Sequence, residues 1–306
     1  MNRKKIRFSV IIMALLAVTV NVLPAASFSS WHPARSLESI PGSSEALNSP
    51  YLDGCPILSR DGLHLYFASN RPGGLGGIDI WTAARSTPGG PFGAPVNVGR
   101  PINSEYNDFC PSPLRDGHGF MFVSTRPGGC GGGDIYLTRG HPELGWLAPV
   151  NLGCQVNSAA DEAGPVLSFA EPGPPTLYFS STRAGGPGGS DLYLSRMTDV
   201  WTFGSAEPVP GLNSAANDGQ PSVHRDGLEL VFFSDRPGGE GGRDIWSASR
   251  DTTVSYWSPP VNLGPDVNSV DNESRPSLSW DGKSLLFGSD RPGGDGGADI
   301  YYTTRN

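Results

Sequence analysis

Lysine is almost absent from this chain of 306 residues: beyond Lys4 and Lys5, only Lys283 occurs. The formal net charge is -8, and removing Arg3, Lys4, Lys5 and Arg7 with an N-terminal leader takes it from -8 to -12. A surface of that sign favours solubility and disfavours nucleic acid and anionic membranes as partners. Cysteine is scarce as well. Cys55, Cys110, Cys130 and Cys154 form no CxxC and have no neighbouring histidine pattern, which argues against zinc. The glycine-rich stretches carry no GK[ST] ending and open no helix, so they are not phosphate cradles. His32, His64, His118, His141 and His224 join no nucleophile or metal-ligand spacing, and no catalytic residue is assigned.

A long apolar run occurs only near the start. Arg3 to Arg7 are basic, Ser9 to Leu23 are apolar, and the small residues Ala25, Ala26 and Ser27 follow. Residues 1–27 therefore read as a signal peptide, with 28–306 as a single mature domain. The alternative is an uncleaved anchor, for which the run is short. No cysteine stands at the cleavage position to carry a lipid. The expected location is periplasmic or secreted, without stable membrane insertion after cleavage. In that compartment the four cysteines are disulfide candidates, with three pairings open.

What the chain has in abundance is 42 glycines and 29 prolines, placed at fixed intervals. RPGGLGGIDIW begins at Arg71 and returns from Arg126, Arg183, Arg236 and Arg291, with spacings of 53 to 57 residues. In every copy an aspartate follows the arginine by eight residues: Asp79, Asp134, Asp191, Asp244 and Asp299. A long period with few helix formers predicts strand-built units, each too small to bury its own apolar face. Within one unit, PILS (56–59), HLYFAS (64–69), DIWTAAR (79–85) and PFGAPVNVG (91–99) read as four strands. Asp61-Gly62 supplies a hairpin turn, repeated at Asp116, Asp226 and Asp281, whereas unit three has the longer EPGPP at 171–175. Asn48, Asn103, Asn157, Asn213 and Asn268 each precede a strand proline by eight residues.

These units predict an all-β fold, a five-bladed propeller of four-stranded antiparallel blades. The chain ends one strand short in unit five, and SLESIP (36–41) reads as the missing strand, so an N-terminal strand is expected to complete the last blade.

The pattern P-x-L-S-x-D-G-x-x-L-x-F-x-S-x-R-P-G-G-x-G-G-x-D-I-W resembles the TolB-type, WD-repeat-like propeller repeats over residues 36–306. That resemblance implies a periplasmic propeller that binds other envelope proteins, here without the N-terminal α/β domain of TolB.

Two residue sets are candidate sites. Asp53, Asp108, Glu162, Asp218 and Glu273 each stand three residues before an inner-strand proline. Pointing at the axis, they would ring the channel mouth and call for arginine partners or a cation. Calcium or a cationic ligand is one reading, and acceptance of hydrogen bonds from linker amides is the other. The loop pairs are read as architectural, with Arg71, Arg126, Arg183, Arg236 and Arg291 each bonding a nearby acid. Trp81, Tyr136, Tyr193, Trp246 and Tyr301 are expected to pack between blades. Phe92, Trp146, Phe203 and Trp257, near the fourth strands, offer stacking surfaces for a sugar. The expected function is a non-catalytic, monomeric binding scaffold for an envelope or extracellular protein. The alternatives are a glycan-binding module or a glycoside hydrolase using the mouth acids.

Overall fold

The computed structural model describes residues 30–141, 145–170 and 172–306; the expected leader, 1–27, lies outside them. Five antiparallel sheets form the blades of a closed ring. Blade 1 runs Asp53–Leu58, His64–Ser69, Asp79–Ala84 and Val96–Asn97 from axis to rim. The inner strands of blades 2 to 5 are Asp108–Pro113, Glu162–Ser168, Asp218–Val223 and Glu273–Leu278. Blades 2 and 3 carry one further short strand each, Gly145–Trp146 and Thr202–Phe203.

The second strands show why the ring holds together. Leu65 and Phe67 pack with Leu286 and Ile300 of blade 5, while Tyr66 joins Phe120 and Phe122 of blade 2. Both faces of a blade are thus covered by its neighbours. The expected aromatic packing is present, and each third-strand ring lies directly opposite a second-strand phenylalanine, as in Phe67↔Trp81 and Phe122↔Tyr136. Phe92, Phe203 and Trp257, considered as sugar platforms, are buried in the apolar clusters instead. Trp146 is half-buried.

Inner strands start earlier than expected, at the acid rather than at the proline. The intervening residues, Cys55, Cys110, Gly164, Gln220 and Arg275, have φ of 50, 48, 59, 49 and 60°. Each forms a bulge that bends the strand at the axis. The fourth strands are shorter than PFGAPVNVG suggested. In blade 1 the strand is Val96–Asn97, preceded directly by Pro95, which cannot donate to the ladder.

Ring closure is by the N-terminal segment, with a shift in register. Arg35 and Ser36 pair with Tyr302 and Tyr301, while Leu37–Ser39 turns off as a 3-10 helix, so SLESIP is not a continuous strand. Leu37 leaves the sheet to bury its side chain between blades 1 and 5, and Trp31 packs beneath Arg305. Asn48 completes the closure by accepting from the Ile300 amide. Deleting residues 28–41 removes both buried side chains and should lower the thermal midpoint by at least about 5 °C, as read by calorimetry.

The clasp also introduces a pH dependence. Burial raises the Glu38 carboxyl to about 7; the Asn48 amide opposes the shift, and the charges of Asp295 and Asp299 add to it. The folded pKa lies above the ordinary 4.5, so the folded chain binds the extra proton in that interval. This contribution is complete below 4.5 and is lost as pH rises through about 7. Glu38→Gln should therefore flatten the fall in thermal midpoint between about pH 5 and about pH 8.

Candidate functional site

Inner-strand starts and glycine loops share one end of the ring, as the four-stranded topology requires. The five acids sit there, but not as free carboxylates. Asp53, Asp108, Glu162, Asp218 and Glu273 are 0–1% exposed. They accept from Arg71, Arg126, Arg183, Arg236 and Arg291 at 2.5–3.0 Å. Linker serines complete the shell: Ser49, Ser104, Ser158, Ser214 and Ser269 each donate a hydroxyl to the same carboxylate.

The same arginines do more than neutralise. Each Nε bonds the serine that ends its second strand, and each guanidinium also donates to a carbonyl of the incoming linker, such as Leu47 or Ile102. Each lies 4.7–5.5 Å from the centroids of its paired aromatic rings. The loop aspartates are not the partners of these arginines. Asp79 accepts from the Leu75 and Gly76 amides and from Asn97, and Asp134 and Asp244 repeat the cap on Cys130 and Glu240. Asp191 and Asp299 cap Gly188 and Gly296. Gly76 is required because a Cβ there would lie 1.9 Å from the Tyr106 carbonyl of the next linker.

Between the two ends the axis narrows to a cavity of about 40 Å³ lined by the bulge residues and inner-strand prolines. Cys55 and Cys110 form one disulfide across the inner strands of blades 1 and 2, and Gln220 Nε2 lies 3.3 Å from Cys110 Sγ. The second disulfide, Cys130–Cys154, ties a glycine loop to the next linker. Among the described residues, no three His, Cys, Asp or Glu side chains come together as metal ligands.

What sequence reasoning missed is asymmetry at this face. A cavity of about 520 Å³ opens between blades 4 and 5, lined by Asp235, Arg243, Asn272, Arg275 and Asp290. Arg275 occupies the bulge position that is cysteine, glycine or glutamine elsewhere. Burial, and then the charge of Arg243, lower its guanidinium to about 10, so it stays protonated at neutral pH. No hydrogen-bond acceptor reaches it among the described residues. Asp235 and Asp290 stand where the other blades have Asn70, Thr125 and Thr182. Asn217 grips Asp235 with two donors at 2.6 and 2.7 Å, and Asn272 grips Asp290 at 2.7 and 2.9 Å. Burial pushes the Asp235 carboxyl up, but the Asn217 donors and Arg243 outweigh it and hold the group below its usual range. Lining up the five repeats position by position would have exposed both departures.

Removing one member of a buried pair strands the other. Arg126→Ala should cost about 3–5 kcal/mol in urea unfolding, with the Asp108→Asn, Arg126→Ala double variant losing less than the sum of its single variants.

No protein-family model and no curated protein matches the chain. Among solved structures, the fold is similar to a thermostable family-43 glycoside hydrolase at 12% identity and TM-score 0.59, covering 86% of this chain and 92% of that one. It is similar to the catalytic domain of a Coprinopsis cinerea GH62 α-L-arabinofuranosidase at 15% identity and TM-score 0.56, covering 93% and 98%. A putative TolB from Agrobacterium tumefaciens matches at 18% identity and TM-score 0.50, covering 86% and 78%. At these identities the likeness is one of fold. The TolB-type resemblance of the repeats accordingly narrows to the propeller they build.

Proposed function

We propose that this chain is an exported, non-catalytic binding propeller whose protein partner docks on the loop face, over the cavity between blades 4 and 5. One observation carries this reading: the five axial carboxylates are already neutralised within their own blades, while Arg275 reaches the cavity with no acceptor. A half-buried guanidinium that lines the cavity with no acceptor of its own is available to a partner's carboxylate or carbonyl. Two disulfides and the leader-like start support work in an oxidising compartment.

A second reading has its own support. Asp235 and Asp290 line the same cavity, and two of the similar structures are named as glycoside hydrolases. Glycoside hydrolysis needs one carboxyl with a raised pKa as the acid. Asp235 is shifted the other way, and Asn217 and Asn272 hold the two groups as acceptors. These features favour binding over hydrolysis.

Arg275→Gly separates the alternatives without endangering the fold, because glycine already occupies this position in blade 3 and suits its left-handed φ. The variant should keep its thermal midpoint and lose at least about tenfold in affinity for a protein retained from envelope or secreted extracts. Aryl arabinofuranosides and xylosides should not be hydrolysed. Turnover of either, abolished by Asp235→Asn or Asp290→Asn, would establish the glycosidase reading instead.

A further inference from the structure

The opposite end of the channel carries a second departure from symmetry. Four of the inner hairpins close through turns Ser59–Gly62, Leu114–Gly117, His224–Gly227 and Ser279–Gly282, each with its closing amide bonded back to the first carbonyl. The second turn residue points to the axis at Arg60, Arg115, Arg225 and Trp280, and Phe169 takes the equivalent place in blade 3. These five residues rim a mouth of about 110 Å³.

Three arginines converge on one indole. The Arg60, Arg115 and Arg225 guanidinium carbons lie 4.8, 5.2 and 6.0 Å from the Trp280 ring. An indole has two faces and a positive edge, so it cannot offset three cations. None of the three donates to an acceptor among the described residues. The neighbouring aspartates are committed elsewhere: Asp61 to Ser59 and Leu63, Asp116 to His118 and Arg139, Asp226 to Leu228 and His224, Asp281 to Ser279 and Lys283. Among the described residues no acidic residue lines the mouth, so three cations around one ring, none bonded directly to a carboxylate, form a local trap for anions.

We propose that this mouth binds a small multivalent oxyanion, a di- or tricarboxylate or a polyphosphate. Its charged oxygens would sit among Arg60, Arg115 and Arg225, and its remaining atoms against Trp280 and Phe169. Guanidinium forks match carboxylate and phosphate geometry equally, and the small volume admits only a compact group. The site is separate from the loop-face cavity and does not depend on the partner proposed for it.

The test titrates the full mature protein with citrate, with pyrophosphate and with acetate at low salt. Tryptophan fluorescence is followed, Trp280→Phe isolates the relevant indole, and thermal shift gives an independent readout. Citrate, pyrophosphate or both should bind saturably and at least about tenfold more tightly than acetate. The tighter of the two identifies the preferred ligand as carboxylate or phosphate. Binding should weaken with salt, and each of Arg60→Gln, Arg115→Gln and Arg225→Gln should reduce it about tenfold. The unliganded variants should not melt earlier than the native chain, because each relieves like-charge repulsion. The proposal is overturned if neither multivalent anion gives a saturable signal. Equal binding or equal thermal shift in a variant combining Arg60→Gln, Arg115→Gln and Arg225→Gln, or loss of binding only in Arg275→Gly, overturns it as well.

Discussion

The buried bridge between a loop arginine and an inner-strand carboxylate is the constraint on which the ring depends. It joins three pieces that sequence separates: the start of the innermost strand, the end of the second strand, and the linker arriving from the preceding blade. Desolvating such a pair costs several kcal/mol, which the mutual attraction offsets only if the remaining donors and acceptors are also used. Here they are used, by linker serines on the carboxylate and by a serine, a carbonyl and two aromatic rings on the arginine. A lysine has neither the planar fork nor the flat face for this arrangement. The near absence of lysine thus fits a scaffold whose recurring cation must do several things at once.

A second tie runs the other way around the ring. The linker asparagine accepts from, and mostly also donates to, the third strand of the preceding blade, as Asn103 does with Ile80 and Asn157 with Ile135. The first inner residue adds a backbone bond to the preceding glycine loop, Asp108 to Ile78 and Glu273 to Arg243. Each joint is therefore fastened from both sides. A residue that every joint needs is unavailable for recognition, so recognition must be sought where the five copies disagree.

That division explains what could be read in the sequence. Positions that repeat, Phe67 and its four equivalents or Asn48 and its four, announce the fold because identical chemistry recurs at fixed spacing. The ring count and the N-terminal closure followed from the same regularity. The exact register did not, because Leu37 is drawn into the core between blades 1 and 5 and local strand propensity cannot see that pocket. The acids read as a ring at the channel mouth that calls for arginine partners or a cation, and the structure pairs each with an arginine of its own blade. Which acid each arginine takes depends on a bulge at Cys55 and its equivalents that brings the strand start beneath the loop. Arg60, Arg115, Arg225, Arg275 and Trp280 stayed hidden because attention to what recurs discards what differs.

Similar structures that include two named hydrolases and a putative TolB show how little the propeller alone fixes. An axis ringed by strands from every blade can present carboxylates to a substrate or use them as mortar. This chain uses them as mortar, and each one removed from solvent is one fewer group able to exchange a proton with a ligand. The Cys55–Cys110 disulfide lies between the two ends, and the residues that depart from the repeat differ at each. At the loop face cations and anions alternate around a wide cavity, whereas at the hairpin face three cations share one indole in a narrow one. A wide face of mixed charge suits a protein surface, where complementarity is spread over many contacts. A narrow cationic mouth suits a compact anion. The same fivefold frame supports both because its architecture consumes the repeated residues and leaves the exceptions free.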